Sequence, residues 1–351
     1  MATAHAPSWA ARFEAWLMRH WWRARPSGLS HILRPVAWIY GALATYQRTH
    51  AAPAQCAPVP VLVVGNFVVG GAGKTPTVIA IVEALQRAGR RPGVISRGYG
   101  RREETACAVG PKTDSTSAGD EPVLIARRTD APVWVGRDRV AAAQALCAHH
   151  PQVDVLVADD GLQHHALARA AELVVFDERG AGNGLLLPAG PLREPLPLRL
   201  PDRMRVLYTA GHASTPLPGV LARPTIATAW PLAAWRDGNA AAALPLAELR
   251  GRRLLAAAGM AAPEKFFAML EAAGLTLTRL PLADHHDYRT LPWPAGTPDV
   301  ITTEKDAVKL RPEQLGATRL WVVPLDLQLP AALVGELLAL LFKPSAAPKA
   351  P

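Results

Sequence analysis

The chain is predicted to be an α/β protein built on a parallel sheet. Three observations carry that expectation. From residue 59 onward, short apolar runs alternate with helical patterns, the rhythm of strands joined by crossover helices. A glycine-rich turn, GNFVVGGAGKTPT at 65–77, stands between an apolar run and a helical pattern. A second apolar run, VDVLVADD at 153–160, ends in two carboxylates, where open parallel sheets collect ligands. With 351 residues there is room for two domains, each with its own core. Half of the residues are apolar and 19% are charged, which suits a soluble globular fold. The expected division is N-terminal helices over 1–50, a nucleotide-binding core over 51–225, a smaller α/β lobe over 226–340 and a disordered tail over 341–351.

The first fifty residues hold Trp9, Trp16, Trp21, Trp22 and Trp38, with six arginines against the single acid Glu14. On a helix, Trp9, Phe13, Trp16, Leu17 and His20 share one broad face, flanked by Arg12, Arg19 and Arg23. Indoles at headgroup depth and guanidinium groups on lipid phosphates would suit such a face to a membrane interface. An amphipathic helix packed on the protein's own core would share the pattern; the concentration of Trp with Arg favours the membrane surface. The apolar run Val36 to Ala44 is too short to cross a bilayer, which takes about 20 residues. It is read as dipping into the interface or as an ordinary core helix. Arginines interrupt the first apolar stretch, so no signal peptide is expected. The formal charge of +9 calls for an anionic partner. Three sparse cysteines, Cys56, Cys107 and Cys147, fit a reducing cytosol and lack metal spacing.

Strands are expected at Val59–Val64, Gly93–Ser96, Val133–Val135, Val153–Ala158 and Glu172–Phe176, with helices at Pro76–Arg87 and Arg139–Ala148. Residues 181–202 read as a Pro/Gly-rich loop, and the strand-like segments 204–209 and 319–324 as links between two lobes. The loop between the first strand and helix is a phosphate cradle. Glycines let backbone N–H groups face an anion, and the helix N-terminus adds a favourable dipole. The cradle comprises Gly70, Gly71, Ala72, Gly73, Lys74, Thr75 and Pro76. Lys74 would reach the β- and γ-phosphates and Thr75 would hold Mg²⁺. Pro76 falls in the first helical turn, where its missing donor costs nothing. The strict pattern wants glycine at 68, and this chain has Val68; Gly70 and Gly71 are left to make the turn. Asp159 and Asp160 supply the second metal-holding element. Together these make an ATP–Mg²⁺ site the leading reading.

The acceptor is less legible. In SAGDEPVL, Asp120 and Glu121 offer a base near the γ-phosphate, although on the residues alone an N-cap at Asp120, with Pro122 at the helix start, is the better reading. ADHHDY, 283–288, gathers His285 and His286 with two acids, without the spacing of a helical zinc pair. SRGYGRR offers Arg97 and Tyr99 to an anion or sugar face, and PAGPLREP offers Arg193 and Glu194. Each of these is equally consistent with a solvated loop.

Taken in order and spacing, GNFVVGGAGKTP, SRGYG, GDEP, ADDGLQH, PAGPLREP, DHHDY and TTEKDAVK resemble the tetraacyldisaccharide 4′-kinase family, over about residues 10 to 325. The resemblance implies a P-loop NTPase-like core with a smaller α/β lobe. It implies transfer of the ATP γ-phosphate to the 4′-hydroxyl of a tetraacylated glucosamine disaccharide 1-phosphate, giving lipid IVA, at the cytoplasmic face of the bacterial inner membrane. It assigns Lys74 and Thr75 to nucleotide and Mg²⁺, Asp159 and Asp160 to the metal, and Asp120 to the acceptor base steered by His285. Tyr99, Arg97, His164, Arg193 and Glu194 would meet the disaccharide or its 1-phosphate. TTEKD is left with a helix cap at Thr303. The expected partners are the lipid A disaccharide precursor and the phospholipid surface, with no nucleic acid and with a monomeric chain. A membrane-attached GTPase would need an N-K-x-D guanine reader, which TEKD does not match. A nucleic-acid ATPase would need a basic stripe with interleaved aromatics beyond the N-terminus, and none is evident.

Overall fold

A computed structural model describes residues 16–50, 53–98, 101 and 105–342. Trp9, Arg12, Phe13 and Tyr99, all expected to contribute, lie outside the described residues, as does the tail beyond 342.

After a helical turn at 16–21, helix α1 runs over Gly28–Thr49, capped by Ser27, whose hydroxyl accepts from Ser30 N. Ala37 is buried, but Ile32, Val36, Trp38, Ile39, Leu43 and Tyr46 are exposed, Ile32 by 75% and Trp38 by 68%. Positions 32, 36, 39, 43 and 46 follow helical spacing, so one apolar stripe faces outward. Of the two readings of Val36 to Ala44, a core helix is therefore excluded. The opposite side is tied to the Pro/Gly-rich loop. Trp21 Nε1 donates to the Pro188 carbonyl at 2.9 Å, Asn183 to Ser30 Oγ at 3.1 Å, and the Arg179 guanidinium lies 4.2 Å from the Trp22 ring centroid.

The larger sheet is built from β1 (Val61–Gly65), β2 (Pro92–Ser96), β3 (Cys107–Val109), β4 (Val133–Val135), β5 (Val155–Asp159), β6 (Ala171–Phe176), β7 (Met204–Tyr208) and β8 (Val220–Leu221), in the order β3-β4-β2-β5-β1-β6-β7-β8. All neighbours are parallel except β3 on β4. β1 and β5 are buried along their whole length, as unbroken Val/Leu runs in a covered parallel sheet must be. The crossovers are α2 (Lys74–Arg87), the short α3 (Ser115–Ala118), α4 (Asp120–Thr129) and α5 (Arg139–His149). Register places Val64 of β1 beside Asp159 of β5, so the glycine-rich loop and the acid pair emerge from adjacent strand ends.

The chain then leaves through β9 (Pro224–Thr225) into a second sheet. This contains β10 (Thr228–Pro231), β11 (Leu244–Pro245), β12 (Arg253–Ala258), β13 (Thr276–Pro281), β14 (Asp299–Thr303) and β15 (Arg319–Val323), ordered β11-β10-β15-β14-β12-β13. Helices α6 (Leu232–Asp237), α7 (Pro263–Ala272) and α8 (Glu304–Ala307) accompany it. β16 (Asp326–Leu327) returns antiparallel to β9, and α9 (Ala331–Leu341) follows. The segments expected to link the lobes do not: β7 lies inside the larger sheet and β15 inside the smaller, both too buried for connectors. The β9–β16 ribbon makes the link. Helix α9, grouped by sequence with the smaller lobe, buries Leu333, Leu337 and Leu341 in the same core cluster as α2. Its apolar face matches the larger unit.

Candidate active site

The glycine-rich loop begins at β1 and ends at α2, and its backbone explains Val68. Val68 is buried and bridges Leu192 of the PAGPLREP segment, while Val69 N donates to Pro191 O at 3.0 Å. The residue is a short strand extension rather than part of the turn. Left-handed backbone falls at Gly70 (φ 87°) and at Gly73 (φ 80°), which caps α2, but not at Gly71. Asn66 braces the loop: its amide nitrogen lies 3.4 Å from Gly70 O, and its carbonyl oxygen accepts from Lys74 Nζ at 3.3 Å. The Arg179 guanidinium donates to Gly71 O.

A cavity of about 200 Å³ opens over this loop, between the two sheets. Gly71, Ala72, Gly73, Lys74, Thr75 and Pro76 form one wall, while Met260, Phe266, Met269 and Leu325 supply apolar surface. Lys265, from α7, reaches across to Asp177 and Glu178 at 2.8 Å each. Backbone donors beside a flat apolar slot suit a nucleotide, with phosphates at the helix N-terminus and a base among the aliphatic side chains.

The acid pair lies on the other side of Lys74. Asp160, at φ 47°, sits 3.5 Å from Lys74 Nζ and 3.1 Å from the Arg193 guanidinium. Burial raises its carboxyl, but Lys74, Arg193 and Arg139 outweigh that and hold it below the ordinary range. Asp159 is pushed the opposite way, first by burial and then by the Glu121 and Asp160 charges. Its Oδ2 accepts from Ser96 Oγ at 3.0 Å, but its buried Oδ1 has no hydrogen-bond partner. An orphaned, fully buried carboxylate oxygen beside a second carboxylate and a phosphate loop fits a hard divalent cation. Among the described residues no set of three or more His, Cys, Asp or Glu forms a protein-only cage. Mg²⁺ characteristically takes one or two carboxylates and completes its shell with phosphate and water.

Asp120 and His285 come from different sheets and meet. His285 Nδ1 lies 3.2 Å from Asp120 Oδ2. Burial raises the Asp120 carboxyl, but the His285 hydrogen bond and the Lys309 charge prevail and hold it low. An ionised carboxylate only accepts, so the hydrogen sits on Nδ1. His285 has left-handed backbone, φ 58°, a strained conformation of the kind that collects at functional sites. Asp120 is not the cap expected of it: Gly119 (φ 92°) caps α4, and Asp120 is the first helical residue, free to face the cleft.

Asp120, His285, Asp159, Asp160, Arg97, His164 and Arg193 line one cavity of about 580 Å³. Glu194 instead lines an adjoining cleft with Tyr40, Arg48, His164 and Arg193, against α1. Tyr40 donates to the Arg193 carbonyl at 3.1 Å. Sequence reasoning missed Ser96, Gln163 and Arg139. Arg139 opens α5, is 6% exposed, and donates to the Asp160 carbonyl at 2.7 Å. Only the fold brings it there; an arginine opening a helix carries no signal of its own.

The family model described as Tetraacyldisaccharide-1-P 4′-kinase matches residues 29–341. A protein of Leptothrix cholodnii named tetraacyldisaccharide 4′-kinase is 52% identical over 341 residues, covering 95% of this chain and 97% of its own length. Its namesake from Methylibium petroleiphilum is 53% identical over 326 residues, covering 90% of each. Among solved structures, the LpxK protein from Aquifex aeolicus, crystallised with ATP, superposes with a TM-score of 0.74 at 26% identity, covering 90% of this chain and all of that one.

Proposed function

The chain belongs to the tetraacyldisaccharide-1-P 4′-kinase family, whose members phosphorylate the 4′ position of a lipid A disaccharide precursor, and from that premise we propose how its two cavities divide the work. ATP lies in the cavity over the glycine-rich loop, its phosphates on Gly70 to Thr75, with Lys74 beside the γ-phosphate. Thr75, Asp159 and Asp160 would hold Mg²⁺, which when bound would supply positive charge to offset that of the transferred group. The disaccharide occupies the larger, polar cavity and the adjoining cleft, with Arg97, His164 and Arg193 on its hydroxyls and its 1-phosphate and Glu194 meeting it from the cleft; Tyr99 is assigned to the same substrate by family resemblance alone.

The observation that carries this reading is Asp120 with His285, both lining the larger cavity, with Asp120 next to Glu121, which lines both cavities. An alcohol is a weak nucleophile until its proton has somewhere to go. Asp120 takes the 4′-hydroxyl proton and His285 fixes the carboxylate's orientation. The exposed stripe of α1 lies in the surface of a phospholipid bilayer at its cytoplasmic face, which brings the cleft against Tyr40 and Arg193 to the lipid that carries the sugar. No helix among the described residues is long and apolar enough to cross a membrane; the stripe lies on the bilayer rather than through it. The chain acts as a monomer.

Incubation with Mg-ATP and a lipid A disaccharide precursor, followed by product analysis, is the test. Wild type is expected to add one phosphate at the 4′ position, and Asp120→Ala to lose about 10²- to 10⁴-fold in kcat. Undiminished turnover in Asp120→Ala would remove Asp120 as the base.

A further inference from the structure

TTEKDAVK, 302–309, looks on sequence like a strand end with a helix cap. Thr303 does cap α8, accepting from Asp306 N at 3.2 Å. The charged residues of the segment reach further. Lys309 is 6% exposed along its side chain, and its Nζ sits between two carboxylates, 3.2 Å from Asp120 Oδ2 and 3.5 Å from Asp306 Oδ1. Asp306, fully buried, accepts from Gly259 N at 3.0 Å and from Thr303 Oγ1 at 2.8 Å. Gly259 O in turn accepts from His285 N at 3.3 Å. Both members of the dyad therefore hang from this one segment, Asp120 through Lys309 and the His285 backbone through Asp306.

We propose that Lys309 is a positioning residue for the phosphoryl transfer: with His285 it converges on Oδ2 of Asp120, and this turns Oδ1 to the acceptor hydroxyl. The inference rests on the reading of Asp120 as the base. Two groups of the second lobe approach Oδ2 at the same 3.2 Å. Lys309 Nζ has no well-directed hydrogen bond, so it acts chiefly as a charge. The Tyr288 ring lies 5.4 Å from it and closes it off from solvent; burial, with Asp306 behind it, pushes the Tyr288 hydroxyl up and keeps it neutral. Among the described residues, Glu121 and Asp284 also face the dyad and share Lys305 at 3.3 and 3.2 Å, while Arg97, Arg137, Arg139, Asp159, Asp160 and Arg193 line the same cavity. Lys305 Nζ also stands 3.4 Å from His285 Nε2. Beside a cleft crowded with Asp120, Glu121, Asp159 and Asp160, Lys309 is a buried counter-charge that the base shares with Asp306.

The test is the pH profile of kcat in wild type, Lys309→Met and Lys309→Arg, each checked by thermal melt and by KM for ATP. The base works ionised, so removing a nearby positive charge raises its pKa and moves the acid limb upward. Lys309→Met is expected to lose about 10- to 100-fold in kcat at neutral pH, to shift the acid limb up by about one unit, and to recover part of the loss at alkaline pH. KM for ATP should change less than about twofold. Lys309→Arg, which keeps the charge, should leave the limb in place. A folded Lys309→Met with wild-type kcat and limb, or with lowered kcat and an unmoved limb, would overturn the proposal. If Lys309→Met does not fold, a limb displaced in Lys309→Arg overturns it and an unmoved limb with reduced kcat supports it. Asp120→Asn separates the two readings: full activity there removes the base itself, whereas an inactive Asp120→Asn beside an indifferent Lys309→Met removes only the role of Lys309.

Discussion

The two cavities share Glu121, and Lys74 of one lies 3.5 Å from Asp160 of the other, but they are built from different materials. The donor cavity is backbone and aliphatic surface: the loop from Gly71 to Pro76 against Met260, Phe266, Met269 and Leu325. The acceptor cavity is charged side chains: Arg97, Asp120, Arg139, Asp159, Asp160, Arg193 and His285. The contrast follows from what each must hold. Phosphates bind well to N–H groups fixed by a helix end, and a base binds to apolar walls. A sugar hydroxyl that must surrender a proton needs titratable groups held at controlled charge. The donor side is therefore sensitive to shape, and the acceptor side to charge balance.

The largest effect that would break this contrast is at its boundary. Lys74→Met should cost about 10³-fold in kcat and raise KM for ATP more than KM for the lipid, because Lys74 is proposed to face the phosphates as well as Asp160; steady-state kinetics with each substrate varied separately the two. Asp159→Asn sharpens the charge argument by opposing activity to stability. Kinase activity should fall about 100-fold, while the metal-free protein melts higher. The sign follows from burial: the folded-state pKa of Asp159 lies above the unfolded value, so the ionised carboxylate opposes folding and stability falls as pH rises through the folded pKa. The melting gain of Asp159→Asn over wild type should be largest near about pH 8 and vanish below about pH 3, where the Asp159 carboxyl is protonated in the folded and the unfolded chain alike; a gain independent of pH would defeat the assignment. Ile39→Asp, on the outward face of α1, should weaken sedimentation with anionic vesicles about tenfold and raise KM for the lipid acceptor, leaving KM for ATP unchanged. Val68→Gly, which restores the strict loop pattern, should leave kcat within about twofold and cost about 1–3 kcal/mol of stability, read from urea unfolding, since a buried side chain is lost.

The same contrast decides what could be read from the residues alone. The phosphate half of the donor site is contiguous: strand, glycines, lysine and helix follow one another over 61–87, each with a local physical signature, whereas its apolar wall of Met260, Phe266, Met269 and Leu325 comes from the other lobe and had none. The acid pair at the end of β5 was legible for the same reason. Val68 was not, because its partner Leu192 sits in another loop. The acceptor site is assembled from residues that only the fold unites; Asp120 and His285 are 165 positions apart. Neither GDEP nor DHHDY distinguished a base from a cap or a solvated loop, and the pair was reached through family resemblance. Lys309 and Arg139 had no local signal, since a lysine near a helix end and an arginine opening one are ordinary. The segments 204–209 and 319–324 misled because apolar runs of that length suit a central strand as well as a connector.

The outward stripe of α1 has a kinetic consequence. The helix is stapled through Tyr40 to the backbone of Arg193 and through Ser30 to Asn183, so the acceptor cleft opens at a fixed height beside the stripe. With that stripe lying in a bilayer as proposed, the sugar lipid reaches the cleft by sideways diffusion in two dimensions. The quantity that saturates the enzyme is then the number of acceptor molecules per unit area of leaflet. Diluting the lipid with inert phospholipid at constant bulk concentration should slow turnover, while adding more vesicles of the same composition should not speed it once all of the protein is bound.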